Sequence, residues 1–338
     1  MKKGSVFIIA EAGVNHNGSL RLAKKLVDAA KKAGADAVKF QTYRTEDLVT
    51  RRAPKAAYQN KTVPGKSQYD MLKSLELSVQ EFKALSSYCR KKKILFLSTP
   101  FDIRSADLLR SLGMKMFKVS SGDLTNIPML KHIAKYKRPI ILSTGMATIN
   151  EVKEAVKAVY SAGNRKIVLL HCTSNYPARY EDVNLRAMDT MAKELGLPVG
   201  YSDHTQGLEI SIAAAARGAS VIEKHFTLSR KMKGPDHMSS IEPDELSKLV
   251  SAIKKVELSM GDGVKAPRNS EKAALRVGRK SLVASVDIPK GSRLTRQMIA
   301  VKRPGTGMSP SNIGKIIGRT AKKDIGKDKL IMEGDIKR

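Results

Sequence analysis

The sequence is poor in cysteine, in aromatic residues and in long apolar runs, and each shortage narrows what the protein can be. Cys89 and Cys172 are the only cysteines, which argues against a disulfide framework and predicts a reducing, cytoplasmic location. Tryptophan is absent and aromatic residues make up 5% of the chain, so platforms for stacking single-stranded nucleic acid are few. No apolar run approaches the roughly 20 residues that a membrane span needs.

Acidic residues are also scarce. The chain has 32 Asp and Glu against 62 Lys and Arg, a formal net charge of +30. Such an excess attracts anionic partners without choosing among nucleic acid, a membrane surface and a phosphorylated metabolite. Because many of the lysines fall on the outer faces of predicted helices, we interpret them as a solvated surface and expect neither nucleic acid nor a membrane as partner.

Short apolar runs rich in Val and Ile alternate with amphipathic segments, a pattern typical of a parallel sheet with helical crossovers. Eight strand–helix units within about 260 residues predict an α/β fold, a (β/α)8 TIM barrel. A doubly wound open sheet is the alternative, but no GxGxxG motif follows the first run. The predicted strands are residues 6–11, 37–41, 94–99, 116–120, 140–144, 167–172, 199–202 and 221–226.

The predicted barrel domain covers residues 1–265, and the pattern changes after it. Residues 266–279 are polar and are interpreted as a linker. Residues 280–338 carry short strand-like runs broken by glycine, which predicts a small, mostly β module. A long connection, residues 43–77, separates the second strand from its helix, and loops of that length in a barrel are often lids over the site.

Polar residues end every predicted strand, and in a barrel these ends converge on the face that builds the active site. Strand alternation places Glu223 and His225 on one face and Lys224 on the other, and it places Ser202 and His204 together. If the last two strands are parallel neighbours, the two histidines lie close enough to hold one divalent ion. The other strand-end residues are Glu11, Lys39, Gln41, Thr99, Lys118, Ser120, Ser121, Ser143, Thr144, His171 and Thr173.

His16, in the turn after the first strand, has two interpretations. It is either a third metal ligand or a residue that stabilises the turn by a hydrogen bond. The sequence does not choose between them.

Ten segments of the chain together resemble the sialic acid synthase family. They are IIAEAGVNHNGS, VKFQT, STPFD, FKVSSGD, ILSTGM, LLHCTSNYP, GYSDHT, EKHFT, GPDH and VKRPGTGMSP, in this order and over nearly the whole chain. The resemblance implies a TIM barrel followed by a C-terminal antifreeze-like domain of the SAF type. It also implies a homodimer in which that small domain covers the partner's barrel.

Members of this family condense phosphoenolpyruvate with N-acetylmannosamine or a related N-acylated hexosamine. The resemblance implies that His204 and His225 bind a divalent ion, Mn²⁺ or Mg²⁺, with Glu223 beside it. Arg303 would reach the N-acyl group of the sugar from the neighbouring subunit. By the same resemblance, the phosphoenolpyruvate contacts are Lys39, Thr99, Lys118, Ser121, Ser143 and Ser202, the sugar contacts are Glu11, Tyr176 and Asp236, and a supporting polar pair is Gln41 and Asp123.

Two departures from the family pattern stand out. Some members have Asn where this chain has Ser174, a phosphate-side position, and the loop at residues 63–66 is shorter than in some members. Two other function classes also fit the residues: a TIM-barrel metal-dependent hydrolase of a phosphorylated metabolite, and a basic protein that binds carbohydrate or nucleic acid. The acceptor sugar is open among N-acetylmannosamine, its 6-phosphate and 2,4-diacetamido sugars.

Overall fold

The structure is a computed structural model that describes residues 5–337; residues 1–4 and 338, at the ends of the predicted domains, lie outside it. Contacts along the chain divide it into two compact units, Met1–Gly261 and Asp262–Arg338.

Eight parallel strands form the sheet of the first unit. Their hydrogen-bonded order is β3-β2-β1-β8-β7-β6-β5-β4, and β3 and β4, at the two ends of that order, also lie against each other. The sheet therefore closes as a TIM-type barrel, and the predicted fold class is confirmed. The strands are β1 (Phe7–Gly13), β2 (Ala37–Thr42), β3 (Leu95–Pro100), β4 (Phe117–Val119), β5 (Ile140–Ser143), β6 (Ile167–Cys172), β7 (Val199–Asp203) and β8 (Val221–His225).

Helices cover the outside of the barrel, so the strands are buried on both faces and read as continuous apolar runs. Within residues 5–337, no helix is long and apolar enough to cross a membrane. The helices of the first unit are α1 (Leu20–Ala33), α2 (Thr45–Leu48), α3 (Ala57–Thr62), α4 (Gln68–Leu75), α5 (Val79–Lys92), α6 (Ile103–Ser111), α7 (Ile127–Ala134), α8 (Ile149–Ser161), α9 (Ala187–Leu195), α10 (Glu209–Ala216) and α11 (Pro243–Met260).

Capping residues set where several of these helices begin. The Ser19 side chain accepts a hydrogen bond from the backbone of Leu22 at the start of α1, and Gly34 ends that helix in the left-handed conformation. Ser78 and Thr148 each begin a helix with a capping box, completed by a glutamate three residues later. These caps fix the points at which the chain leaves each strand-end loop.

The connection between β2 and α5 is more ordered than its length suggested, because it contains α2, α3 and α4. Met71 and Leu75 of α4 form a small apolar cluster with Val14 and Tyr43. Tyr43 also donates a hydrogen bond to the carbonyl of Leu72. The connection is thereby held to the loops at the C-terminal end of the barrel.

The second unit has its own core, which includes Leu282, Leu294 and Ile331. Strands β9 (Ser281–Ala284) and β10 (Ile299–Lys302) pair antiparallel, and isolated bridges extend this pairing. Two short helices, α12 (Lys272–Gly278) and α13 (Ile313–Ile316), complete the unit. The segment interpreted as a linker therefore includes a helix, α12.

At Gly200, strand β7 has no room for a side chain between its neighbours. A Cβ at this position would lie 2.4 Å from the carbonyl oxygen of Val221 in β8 and 2.7 Å from a methyl carbon of Leu170 in β6. Only glycine therefore allows this spacing of the three strands, and the spacing sets where Ser202 and His204 lie.

We expect Gly200→Ala to lower the free energy of unfolding by about 1–3 kcal/mol, because the added methyl group overpacks the barrel wall. Urea denaturation of the purified protein measures this loss. Gly122→Ala is the matched control, since its Cβ would meet only the Ser120 hydroxyl, at 3.7 Å. Equal stability of the two variants would contradict the prediction.

Candidate active site

The C-terminal end of the barrel opens into a cavity of about 630 Å³, and every strand contributes at least one lining residue. The cavity lining brings together fourteen of the sixteen positions taken from the family resemblance, Ser174 included. They are Glu11, Lys39, Gln41, Thr99, Lys118, Ser121, Asp123, Ser143, Ser174, Tyr176, Ser202, His204, Glu223 and His225.

Two lysines and two glutamates meet at the centre of this cavity, and all four are buried. The Lys39 ammonium lies 2.5 Å from Glu11 Oε2 and 3.7 Å from Glu223 Oε1, and it donates a hydrogen bond to Thr99 Oγ1. The Lys118 ammonium lies 3.5 Å from the same Glu223 oxygen. Glu223 is thus shared between the two lysines.

Serine hydroxyls complete the polar lining beside these charges. Lys118 Nζ donates to Ser143 Oγ at 2.7 Å, and Ser202 donates to Glu223 Oε1 at 3.2 Å. Gln41 Nε2 reaches Glu11 Oε1 at 3.4 Å. Because each contact joins side chains from different strands, the charged centre depends on the closed barrel.

The two glutamates differ in acidity because their surroundings differ. Burial raises the pKa of Glu11 to about 7, although the adjacent Lys39 ammonium opposes that rise. Burial also raises the pKa of Glu223, but the charges of Lys118 and Lys39 outweigh it and leave the pKa lowered. Glu223 is therefore the more acidic carboxyl of the pair.

The two strand-end histidines are neighbours, with ring centroids 5.4 Å apart. His204 Nδ1 donates to the carbonyl of Thr173 at 2.7 Å, which leaves Nε2 as the free acceptor nitrogen. Burial lowers the pKa of His204 to about 4 and that of His225 well below its ordinary value. Both rings are therefore neutral near pH 7, the form that binds metal ions.

The donor atoms around the pair fit an open divalent site. Buried atoms that lack a hydrogen-bond partner within residues 5–337 include His225 Nδ1 and Glu223 Oε2. In the same part of the chain, no three His, Cys, Asp or Glu side chains are grouped so that they alone could hold a metal ion. The protein would thus supply two nitrogens and leave other positions to substrate or water.

The sequence analysis missed several lining residues, among them Tyr58 and Cys172. Tyr58, from α3, packs on Tyr176 with ring centroids 5.3 Å apart, and Tyr176 in turn packs on His204 at 4.1 Å. No local signal marks Tyr58, because its partner lies far away in the sequence. Cys172 lies 3.3 Å from the Ser121 hydroxyl, and alternation along β6 would have found it.

The prediction that His171 and Thr173, at the end of the sixth strand, belong to the site was wrong. His171 faces away from the cavity and donates to the carbonyl of Val183 at 2.6 Å. Thr173 and Thr144 also belong to the surface between α8 and α9. Since β6 runs through Cys172, alternation turns that side chain inward and His171 outward.

The remaining predicted residues lie outside the cavity lining. Asp236 is buried and does not line the cavity. Arg303 is exposed in the second unit, directly after β10. His16 Nδ1 accepts a hydrogen bond from the backbone N–H of Gly18, so the turn-stabilising interpretation is confirmed.

Comparison with known sequences identifies the relatives of this chain. The sequence model of the NeuB family matches residues 26–265, and that of the SAF domain matches residues 279–337. N,N'-diacetyllegionaminic acid synthase from Campylobacter jejuni is 48% identical over 336 residues, which cover 98% of this chain and all of that protein. The chain belongs to the NeuB family.

Further relatives in this family agree with the assignment. Human N-acetylneuraminate-9-phosphate synthase is 38% identical over 97% of this chain and 91% of its own length. The crystal structure of an N-acetylneuraminic acid synthetase from Leptospira borgpetersenii is 38% identical, with a TM-score of 0.71 over 80% of this chain and 90% of that one. The predicted family, its SAF domain and the prediction of a synthase-type enzyme are confirmed, and neither alternative class receives support.

We expect Asp236→Asn to stabilise the protein at pH 8 and to have little effect near pH 4. Burial raises the pKa of Asp236 to about 6, so above that pH the folded state holds a carboxylate that the unfolded chain would solvate. The gain in unfolding free energy at pH 8 should be about 3 kcal/mol, and it fades as the pH falls through 6 and the folded carboxyl takes up its proton.

Urea denaturation of both proteins at pH 4, 6 and 8 measures this difference. Glu154→Gln, at an exposed position of α8, is the control and should show no such pH dependence. A gain that is the same at all three pH values would show that the Asp236 carboxyl is not destabilised by burial.

Proposed function

We propose that this chain condenses phosphoenolpyruvate with the open-chain form of an N-acylated hexosamine, giving a sialic acid-type nonulosonate and phosphate. The observation that supports this most is the single cavity in which Lys39 and Lys118 lie beside the histidine pair. Cations and hydroxyls suit a phosphorylated carboxylic acid, and neutral histidines suit a divalent ion. Membership of the NeuB family supports the same reaction.

Lys39 and Lys118 bind the anionic groups of phosphoenolpyruvate in this proposal, together with the hydroxyls of Thr99, Ser143 and Ser202. The substrate carries about three negative charges, which charge-assisted hydrogen bonds from several strands can hold in one orientation. Within the cavity, the two lysines face two glutamates. The cavity therefore has little net positive charge of its own to offset the substrate, and a bound divalent cation would provide it.

His204 and His225 hold that ion, Mn²⁺ or Mg²⁺. When bound, it polarises the aldehyde oxygen of the sugar as a Lewis acid. The carbonyl of Thr173 keeps the proton of His204 on Nδ1, so that Nε2 stays available. Tyr176 packs against both rings, 4.1 Å from His204 and 5.5 Å from His225 between centroids, and restricts their rotation.

The reaction forms a bond between C3 of phosphoenolpyruvate and C1 of the sugar, while the aldehyde oxygen takes up a proton. Water then adds at C2 and loses one proton. As the C2–O bond breaks, phosphate leaves with the bonding electrons, the C2 hydroxyl becomes the ketone, and its proton passes to the phosphate. Glu223 is suited to orient the water, since its Oε2 accepts no hydrogen bond from any described residue. Ser202 holds the other oxygen of the same carboxylate.

The acceptor that we favour is a 2,4-diacetamido sugar. The relative named N,N'-diacetyllegionaminic acid synthase is more similar to this chain than the one named N-acetylneuraminate-9-phosphate synthase. N-acetylmannosamine and its 6-phosphate present similar chemistry at C1 and C2, so they belong in the same panel of substrates.

Phosphate release from phosphoenolpyruvate across this panel tests the proposal. We expect release only when an acceptor sugar is present, and we expect a chelator to abolish it and added Mn²⁺ to restore it. Mass spectrometry should find the nine-carbon product. Release at the same rate without any sugar would contradict a condensation and would point to a hydrolase.

His204→Ala should reduce this metal-dependent turnover to near the detection limit, because only one histidine ligand remains. The matched control is His132→Ala, whose ring contacts Asp107 on the outer surface of the barrel and should leave the rate unchanged. Normal turnover of His204→Ala in the presence of a chelator would contradict the proposal that His204 binds a catalytic metal ion.

Arg303 serves the sugar bound in the partner subunit's barrel in this proposal. Arg303→Ala should raise the KM for the sugar by about 10- to 100-fold, as expected for a lost hydrogen bond from a charged donor, with a smaller effect on the KM for phosphoenolpyruvate. Arg319→Ala, at another exposed position of the same unit, is the control.

Mixed dimers show whether Arg303 acts across the dimer. A dimer of one His204→Ala subunit and one Arg303→Ala subunit contains one intact site only if Arg303 acts on the partner's barrel. We therefore expect mixing to restore a low sugar KM. If the sugar KM of the mixture stays as high as that of Arg303→Ala alone, Arg303 does not act across the dimer.

A further inference from the structure

A buried ion pair lies behind the cavity, on the outer side of the two strands that carry the histidines. Lys224 Nζ is 2.8 Å from Asp203 Oδ2, and the side chains are 3% and 0% exposed. Asp203 ends β7 and Lys224 is the penultimate residue of β8. Neither lines the cavity, so neither has a part in the chemistry proposed above.

The pair belongs to a compact hydrogen-bond network. Asp203 Oδ1 accepts from the backbone N–H of Thr205 at 2.9 Å and from its hydroxyl at 2.7 Å. Asp203 Oδ2 also accepts from Ser211 of α10 at 2.6 Å. Lys224 donates a second hydrogen bond to the Thr205 carbonyl at 2.9 Å. The network therefore joins β7, β8 and the loop that follows His204.

Strand register places this network directly behind the site. Ser202 pairs with Glu223 and Asp203 pairs with Lys224 between the parallel strands. Asp203 immediately precedes His204, and Lys224 immediately precedes His225. Each histidine therefore follows directly after a charged residue of the buried pair. That charged side chain points away from the cavity and holds the backbone next to the histidine in place.

Stability alone is a poor reason for such a pair. Removing two charges from water carries a large cost, and well-packed apolar side chains of similar size often stabilise a protein as much or more. An ion pair with defined hydrogen bonds differs from an apolar contact because it is satisfied in only one register. A slip of either strand end would leave a buried charge without its partner.

We propose that Asp203 and Lys224 are positioning residues that set the relative placement of the ends of β7 and β8, and with it the separation of His204 and His225 needed to bind one divalent ion. The pair acts through the backbone and touches neither substrate nor ion. This inference rests on the proposed metal-binding role of the two histidines.

The test is a neutral replacement, Asp203→Asn together with Lys224→Met. Asn keeps an oxygen acceptor for Thr205 and gains a donor for the Ser211 hydroxyl, and Met fills the volume of the lysine stem without its charge. We expect the melting temperature of the metal-free variant to stay within a few degrees of the wild type. We expect its Kd for Mn²⁺, measured by titration with electron paramagnetic resonance, to rise about 10- to 100-fold.

Two further measurements separate positioning from a general loss of structure. Phosphoenolpyruvate affinity without metal should change far less than the Mn²⁺ affinity, because Lys39 and Lys118 lie on β2 and β4. Ser211→Ala removes a hydrogen bond to the same Asp203 oxygen without breaking the link between the strands. It should leave the Kd for Mn²⁺ within about twofold of the wild type.

An unchanged Kd for Mn²⁺ in the folded double variant would overturn the inference. If the double variant does not fold, Lys224→Met alone gives the same comparison, since the Asp203 carboxylate that remains still accepts three hydrogen bonds from Thr205 and Ser211. Failure of the proposed function shows separately, as wild-type protein that releases no phosphate with any sugar.

Discussion

The site depends on the burial of two lysines and two glutamates side by side within one barrel. A single buried charge would be strongly unfavourable, so each of the four is tolerated only because the others surround it. Glu223 has the central place, since one of its oxygens lies within 3.7 Å of both ammonium groups. An anion that binds Lys39 and Lys118 must compete with this carboxylate. In our proposal, the binding of phosphoenolpyruvate and the binding of a cation near Glu223 are therefore favourable to each other.

Because side chains alternate along a strand, β7 and β8 each place reactive groups in the cavity and a supporting charge on the opposite face. Along β8, Glu223 and His225 face the cavity, and Lys224 between them faces the helices. Along β7, Ser202 faces inward and Asp203 outward. The reactive groups therefore stand on backbone that is fixed from behind by a second set of charges. A site built on loops alone would lack that support.

The alternation of side chains along the strands made much of this site predictable from the sequence. Residues whose position depends on contacts between distant segments could not be predicted in this way. The grouping of Glu223 with His225 followed from spacing alone. His171 was selected only as a residue at a strand end, and alternation along the same strand turns Cys172 inward and His171 outward. Tyr58 could not be predicted, since its position depends on how α3 folds over the barrel. Asp236 was selected by resemblance, and its burial is visible only in three dimensions.

The large positive charge of the chain belongs to its surface and not to this cavity. Two lysines and three acidic residues line the cavity, so it holds none of the excess of +30. Exposed charges act at long range and are screened over about 10 Å at 0.1 M salt, whereas buried pairs are screened far less. The positive surface therefore affects the association rate of an anionic substrate, and the buried charges affect its affinity once it is in the cavity. Salt separates the two contributions, because it weakens the first and leaves the second nearly intact.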